Sequence, residues 1–185
     1  MKIDKAIATA QLIEYIRIQR PTIADQSITE ALNKLDKRGG QYAVIDLHCF
    51  VLRSKKDGMN DKEIMKQITA DLFPSMNHPN YPRYSADYRN YVDIEITVNQ
   101  AFTKIVDYCA HTLGITRDPA ITAMMDFMKG KGSMAVLSLY GFIRYAQTRN
   151  IDLKQVKSTI VHDLNGATDH MLTPRSIEYW QFANS

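Results

Sequence analysis

Apolar residues recur every three or four positions along most of the chain, the spacing that lines one face of an α-helix. Ile3, Ala6, Ile7, Ala10, Ile13 and Ile16 form the first such stripe, from Ile3 to Gln19. Arg20-Pro21 closes it, because proline disfavours helix in the residue before it. Ser27 followed by Glu30 reads as a capping box that opens a helix through Ile28, Ala31, Leu32 and Leu35, and Gly39-Gly40 ends that helix. The stretch Tyr42 to Lys56 is so densely apolar that it predicts a central, buried helix. Gly58 breaks it. Asn60 with Glu63 then caps a short helix carrying Ile64, Ile68 and Leu72, which Pro74 stops.

The longest periodic stretch runs from Tyr88 to Leu113 and ends at Gly114. Its first part is ambiguous: Val92, Ile94, Ile96 and Val98 alternate with Asp93, Glu95 and Thr97, which is also a strand pattern. The helical period continues for several turns beyond Val98 while the alternation stops there, so one long helix is the favoured reading. Asp118-Pro119 predicts a cap with proline at the first helical position, starting a methionine-rich helix with Met124, Met125, Phe127 and Met128. Lys129 to Gly132 reads as a turn, with Ser133 capping a helix that extends to about Thr148. The clearest start signal is Ile151 to Val156: Asp152 caps, Gln155 answers it, and Ile151 is placed to staple against Val156. That helix ends near Leu164, at Asn165-Gly166.

These elements predict an all-α protein, a single-domain irregular helical bundle of about seven to nine helices over residues 1–172. Residues 173–185 form a tail with Ile177, Tyr179, Trp180 and Phe182. A tail this apolar is expected to dock on its own domain or on a neighbour, and the second case means self-association through Trp180.

Composition narrows the class. The 185 residues suffice to bury a core without disulfides or metal, and 45% apolar with 23% charged residues argues against disorder. Cys49 and Cys109 sit inside apolar helical patterns, where cysteine acts as a small hydrophobe, and two isolated thiols are too few for a structural zinc site. No secretory leader pattern opens the sequence and no apolar run reaches bilayer length, so a cytoplasmic protein without membrane contact is expected. The net charge of +3 is uneven: residues 1–128 hold sixteen basic and sixteen acidic side chains, and residues 129–185 hold seven and four. The whole excess lies in the last third, which suits an acidic partner there.

Two segments could serve such a partner. Tyr81, Arg83, Tyr84, Tyr88 and Arg89 cluster in and after a proline-interrupted loop, and rings beside guanidinium groups suit stacking on bases or gripping a protein. They equally suit packing a loop onto its own core. Arg144, Arg149, Lys154 and Lys157 flank the turn before Asp152 and predict a basic patch. Lys154 falls in the first turn of a helix, where the dipole disfavours a cation, which points to an external role. Gly130-Lys131-Gly132-Ser133 follows a helix rather than a strand and reads as a connection, not a phosphate cradle. Met124, Met125, Met128 and Met134 read as core filler.

Four of the five histidines have an aspartate nearby, in the pairs Asp46/His48, Asp107/His111, His162/Asp163 and Asp169/His170. Asp107 and His111 share one helix face, and two such pairs on neighbouring helices could hold a divalent cation. No HExxH or repeated acidic motif accompanies them, so no catalytic residue, metal or cofactor is assigned. His162-Asp163-Leu164-Asn165 resembles the phosphoacceptor box of sensor histidine kinases over four residues, but Gly166 interrupts the helix at once. Within Leu139 to Leu164, Tyr145-Ala146 followed by Asn150-Ile151-Asp152-Leu153 and a helix resembles the C-terminal helical hairpin of the all-α NTP pyrophosphohydrolases. That resemblance implies a small divalent-metal-dependent hydrolase. Its ligands would be Asp107, His111 and Asp93 or Glu95, yet Asp93 and Glu95 are two apart and no ExxE precedes them.

The residues therefore favour a non-enzymatic helical binding or adaptor protein, working through the Tyr/Arg loop and the basic turn. Its expected partner is a protein first and nucleic acid or a nucleic-acid-associated protein second. The remaining reading is a structural subunit of a larger assembly.

Overall fold

The computed structural model describes residues 3–73, 87–165 and 179–184. In chain order its elements are α1 (Lys5–Gln19), α2 (Asp25–Gly39), α3 (Ala43–Lys56), α4 (Asp61–Leu72), α5 (Asp87–Tyr91), α6 (Val98–His111), α7 (Arg117–Lys131), α8 (Ser133–Thr148), α9 (Leu153–Leu164) and a 3-10 turn, η1 (Trp180–Asn184). Among the described residues there is no strand, so the protein is all-α, as its apolar period predicts. No helix there is long and apolar enough to cross a membrane. The chain separates into two compact units, Met1–Asp93 and Ile94–Ser185.

In the first unit, α3 is the predicted central helix and is buried on nearly every side. Leu47, Phe50 and Val51 of α3 join one apolar cluster with Leu12 of α1, Leu32 of α2 and Ile64 of α4. Each fully buried aliphatic side chain contributes about 1.5–3 kcal/mol, so this cluster is what holds the four helices together. Helix ends are tied by polar contacts. Tyr15 at the end of α1 donates its hydroxyl to Asp61 at the start of α4 at 2.7 Å, and the Lys55 ammonium lies over the Tyr15 ring. Burial, with help from Asp61, pushes the Tyr15 phenol well above its usual range, so it stays a donor.

Burying α3 also buries its polar residues. Arg53 is fully enclosed. Its Nε and Nη2 grip the Asp57 carboxylate at 2.9 and 2.8 Å, while Nη1 donates to the Tyr91 carbonyl at 3.1 Å. Asp46 pairs with Arg89 of α5, whose guanidinium also covers the Tyr42 ring at 4.1 Å. Two arginines thus fasten the short α5 to α3.

The second unit repeats the plan with α8 in the centre. Residues Ala135 to Leu139 are buried without a break, and Phe142, Ile143 and Ala146 continue the buried surface. Ile105 and Cys109 of α6, Met124 of α7 and Ile160 of α9 are fully buried in the same unit. Met124 fills core as expected, whereas Met125 is exposed.

Several element starts differ from the pattern-based expectation. Residues Val92 to Thr97 are neither strand nor part of one long helix: the backbone leaves helix after Tyr91 and re-enters at Val98. Thr97 and Gln100 form a full capping box that fixes this new start, and the β-branched Val92, Ile94, Ile96 and Thr97 are stiff in a helix. Ser27 is not a cap, because α2 already begins at Asp25 after an extended Ala24, and Glu30 is engaged by Gln26. Pro119 is the third residue of α7, not the first, still within the turn whose amides need no partner. The turn expected at Lys129 to Gly132 shrinks to Gly132 alone, at φ 82°, and Ser133 is the first helical residue rather than the cap. Only glycine takes that backbone without strain.

Two measurements check the polar core of the first unit. Arg53→Ala leaves the Asp57 carboxylate without its clamp and should cost roughly 3–5 kcal/mol in urea unfolding, the usual loss on breaking a buried pair. His48 is buried and its Nδ1 has no hydrogen-bond partner among the described residues, so desolvation lowers its pKa below the usual 6.5. The unfolded chain takes up that proton near pH 6.5 and the folded chain only at lower pH. Stability should therefore fall as pH drops from about 7 to about 5, and the fall should be smaller in His48→Gln.

Candidate functional site

The basic turn predicted between Tyr145 and Lys157 is built almost entirely from local hydrogen bonds. At the end of α8 the Asn150 amide donates to the Gln147 carbonyl at 3.3 Å and the Ile151 amide to the Ala146 carbonyl at 3.0 Å. This crossed pair is a Schellman cap, and it requires a left-handed residue in the middle. Asn150 supplies it at φ 52°, a conformation asparagine tolerates better than most residues. One residue later the Asp152 carboxylate accepts from the Lys154 and Gln155 amides at 3.0 and 3.2 Å, opening α9 as expected. Val156 and Ile160 then anchor α9 in the core. The geometry of this turn is fixed by its own sequence.

Beside the turn lies an open cleft of about 440 Å³. Tyr108 of α6, Ala146 and Gln147 of α8 and residues 150–153 line it. Burial, and secondarily Cys109, raises the Tyr108 pKa, so its hydroxyl remains protonated. Leu153 at the rim is 51% exposed, an apolar side chain left in water at the start of α9.

The four cations of the expected patch have different roles. The Lys157 ammonium donates to the Leu113 carbonyl at 2.7 Å, closing the backbone just past the end of α6. Arg144 donates to the Gln147 side chain at 3.1 Å. Arg149 is exposed, with its guanidinium 6.0 Å from the centre of the Tyr145 ring. Lys154 is exposed on the first turn of α9. Lys157 is exposed as well, but its ammonium is committed to the Leu113 carbonyl, so Arg149 and Lys154 form the outward-facing part of the patch.

Tyr81, Arg83, Tyr84 and the side chain of Tyr88 lie outside the described residues. Arg89 is on α5, and its guanidinium engages Asp46 and Tyr42 of its own unit.

Among the candidate metal ligands, Asp107 pairs with Arg117 at 2.6 Å, and His111 is exposed. Glu95 gives its amide to the Asn184 side chain at 2.8 Å. His162 and Asp163 approach to 3.6 Å. His170 and Asp169 lie outside the described residues, among which no three His, Cys, Asp or Glu side chains gather around one point. Both cysteines are free and buried, and desolvation pushes Cys49 up to about 12 and Cys109 up to about 11. Neither thiol is a nucleophile at neutral pH.

One functional-looking group escaped the pattern: Tyr145, the ring at the centre of an aromatic cluster. Tyr179 approaches it to 4.7 Å and Phe182 to 4.9 Å, while Phe142, one helical turn earlier, meets Tyr179 edge-on at 5.2 Å. The i, i+3 spacing of Phe142 and Tyr145 is the signal that could have disclosed it. No protein-family model, curated protein or solved structure matches this chain.

The division of labour among the cations has a direct check. Lys157→Met should lower unfolding stability by about 1 kcal/mol, because the Leu113 carbonyl loses its donor. Lys154→Met should leave stability within about 0.5 kcal/mol of the native chain, as for most exposed side chains without a structural partner.

Proposed function

We propose that the protein is a non-enzymatic helical binding or adaptor protein that presents the α8–α9 turn to an acidic partner. The observation that carries this reading is the pairing of a backbone fixed by two caps with Arg149 and Lys154 exposed on it. A rigid turn loses little conformational entropy on binding, which is the advantage of a preorganised contact. The adjoining cleft and exposed Leu153 supply an apolar element of the kind that interfaces place beside their charges.

Charge count favours a protein over nucleic acid as the partner. Each phosphate neutralised contributes a slope of about −0.9 to the salt dependence of binding, so two exposed cations support a slope of only about −2. Dedicated nucleic-acid binders neutralise many more phosphates. The reading places the protein in the cytoplasm, with both thiols free and buried.

The test compares the native chain with the doubly reversed variant Arg149→Glu/Lys154→Glu. Affinity capture by the native chain should retain a partner that the variant loses, with both showing the same helical circular dichroism. Fluorescence polarisation against single-stranded and duplex DNA and RNA should show weak binding with a salt slope no steeper than about −3. Equal capture by native and reversed chains would refute the assignment of the turn, and a steep salt slope would transfer it to nucleic acid.

A further inference from the structure

We propose that the cleft beside the α8–α9 turn seats one large apolar side chain from an acidic segment of a partner protein, with carboxylates on both sides of that anchor residue. This rests on the reading of the turn as the binding surface and names what the surface takes. The residues lining the cleft are of two kinds. Ala146 and the half-exposed Leu153 are apolar, and an aliphatic side chain left in water is stabilised when a partner covers it. The others offer hydrogen-bond donors. Among the described residues nothing accepts from the Tyr108 hydroxyl, and nothing engages the Asn150 side-chain amide. Gln147 receives the Arg144 guanidinium on its Oε1, which leaves its amino group to give. Asp152 is the one carboxylate in the lining, and the Lys154 and Gln155 amides already occupy it. Neutral donors beside an apolar surface suit a peptide, whose carbonyls meet the donors while one side chain covers the apolar part.

Charge sets what flanks the anchor. Arg149 precedes the lining residues 150–153 and Lys154 follows them, and both are exposed. A segment anchored between them meets a cation on each side, and a carboxylate held by a guanidinium makes one of the stronger hydrogen bonds available to proteins. The openness of the cleft decides between a polypeptide and a free small molecule. Pockets that hold small molecules cover about 70–90% of the ligand's surface. An open cleft of about 440 Å³ cannot wrap a ligand to that extent, so its occupant must also be held by groups outside it. A polypeptide reaches Arg149 and Lys154 through the residues next to its anchor; a molecule of the cleft's own size does not.

Fluorescence polarisation of the full chain with three labelled peptides tests this. The first is Gly-Ser-Asp-Glu-Phe-Glu-Asp-Ser-Gly, the second has serine for phenylalanine, and the third has lysine at every acidic position. The native chain should bind the first saturably and the serine peptide about ten-fold more weakly, the loss expected for one buried apolar side chain. It should not bind the lysine peptide. Leu153→Ser removes the exposed apolar group, and Asn150→Gly removes a donor while keeping the left-handed backbone. Each should weaken the first peptide at least three-fold with unchanged helical circular dichroism. Absence of saturable binding overturns the proposal, as does equal binding of the phenylalanine and serine peptides or native-like binding by both variants. Displacement of the first peptide by an equal concentration of N-acetylphenylalaninamide also overturns it, since a free small ligand would then be the occupant. The chain Arg149→Glu/Lys154→Glu separates these failures from failure of the underlying reading. If it loses both acidic peptides while the native chain does not distinguish them, the turn stands as the binding surface and only the cleft is removed. Native-like binding by the reversed chain removes the turn itself.

Discussion

A helix buried on nearly every side must find partners for its own polar side chains inside the protein, and α3 is such a helix. Its buried surface includes Asp46, His48, Arg53 and Ser54. A buried unpaired charge costs several kcal/mol, so Arg53 and Asp46 recruit whatever the chain can bring near them. Arg53 takes Asp57 one turn later and the Tyr91 carbonyl across the unit; Asp46 takes Arg89. These contacts position α5, a five-residue helix too short to be stable alone. The arginine that the sequence offers as a surface contact thus becomes part of the internal wiring of its unit.

The same constraint marks what was legible in advance. Signals carried within a few residues survive into the structure: Asn60 with Glu63, Asp152 ahead of Gln155, and the terminating glycine at Gly40 all act as their spacing suggests. The central position of α3 was legible too, because a run apolar on all faces has no solvent side. Signals that needed a choice between competing local solutions failed. Ser27 lost to a cap three residues earlier, at Ala24, which puts Asp25 in the first turn, where it complements the helix dipole. Ser133 lost to Gly132, which at positive φ both ends α7 and opens α8 in one residue. Across Val92 to Thr97 the pattern offered a helix or a strand, and neither prevailed. Ile94 is buried without regular structure, and the Thr97–Gln100 box resets the helix. Periodicity reports which residues face inward; it does not report whether the backbone between them stays continuous.

Of the expected interaction residues, position along the chain was informative and role was not. Arg144, Arg149, Lys154 and Lys157 do surround one turn, but a lysine's long stem lets it serve the protein's own backbone as readily as a partner. Lys157 illustrates this by reaching the Leu113 carbonyl, forty-four residues away. Lys154 sits only three residues earlier, one turn back along α9, and both lysines are exposed; the hydrogen bond to Leu113 is what sets Lys157 apart. Sequence cannot separate these two lysines, because the carbonyl that distinguishes them lies just past another helix.

Tyr145 links the two surfaces of the second unit. Its ring carries Tyr179 and Phe182 from the C-terminal segment, and the Arg149 guanidinium lies 6.0 Å from its centre, near the outer limit of a cation–π contact. A ring held by two neighbours keeps one orientation, so the docked segment also fixes the surface against which Arg149 rests. The backbone of the basic turn does not draw on the segment, since its caps involve only residues 145–155. The segment therefore bears on one cation, through the ring against which Arg149 rests, and not on the backbone that carries it.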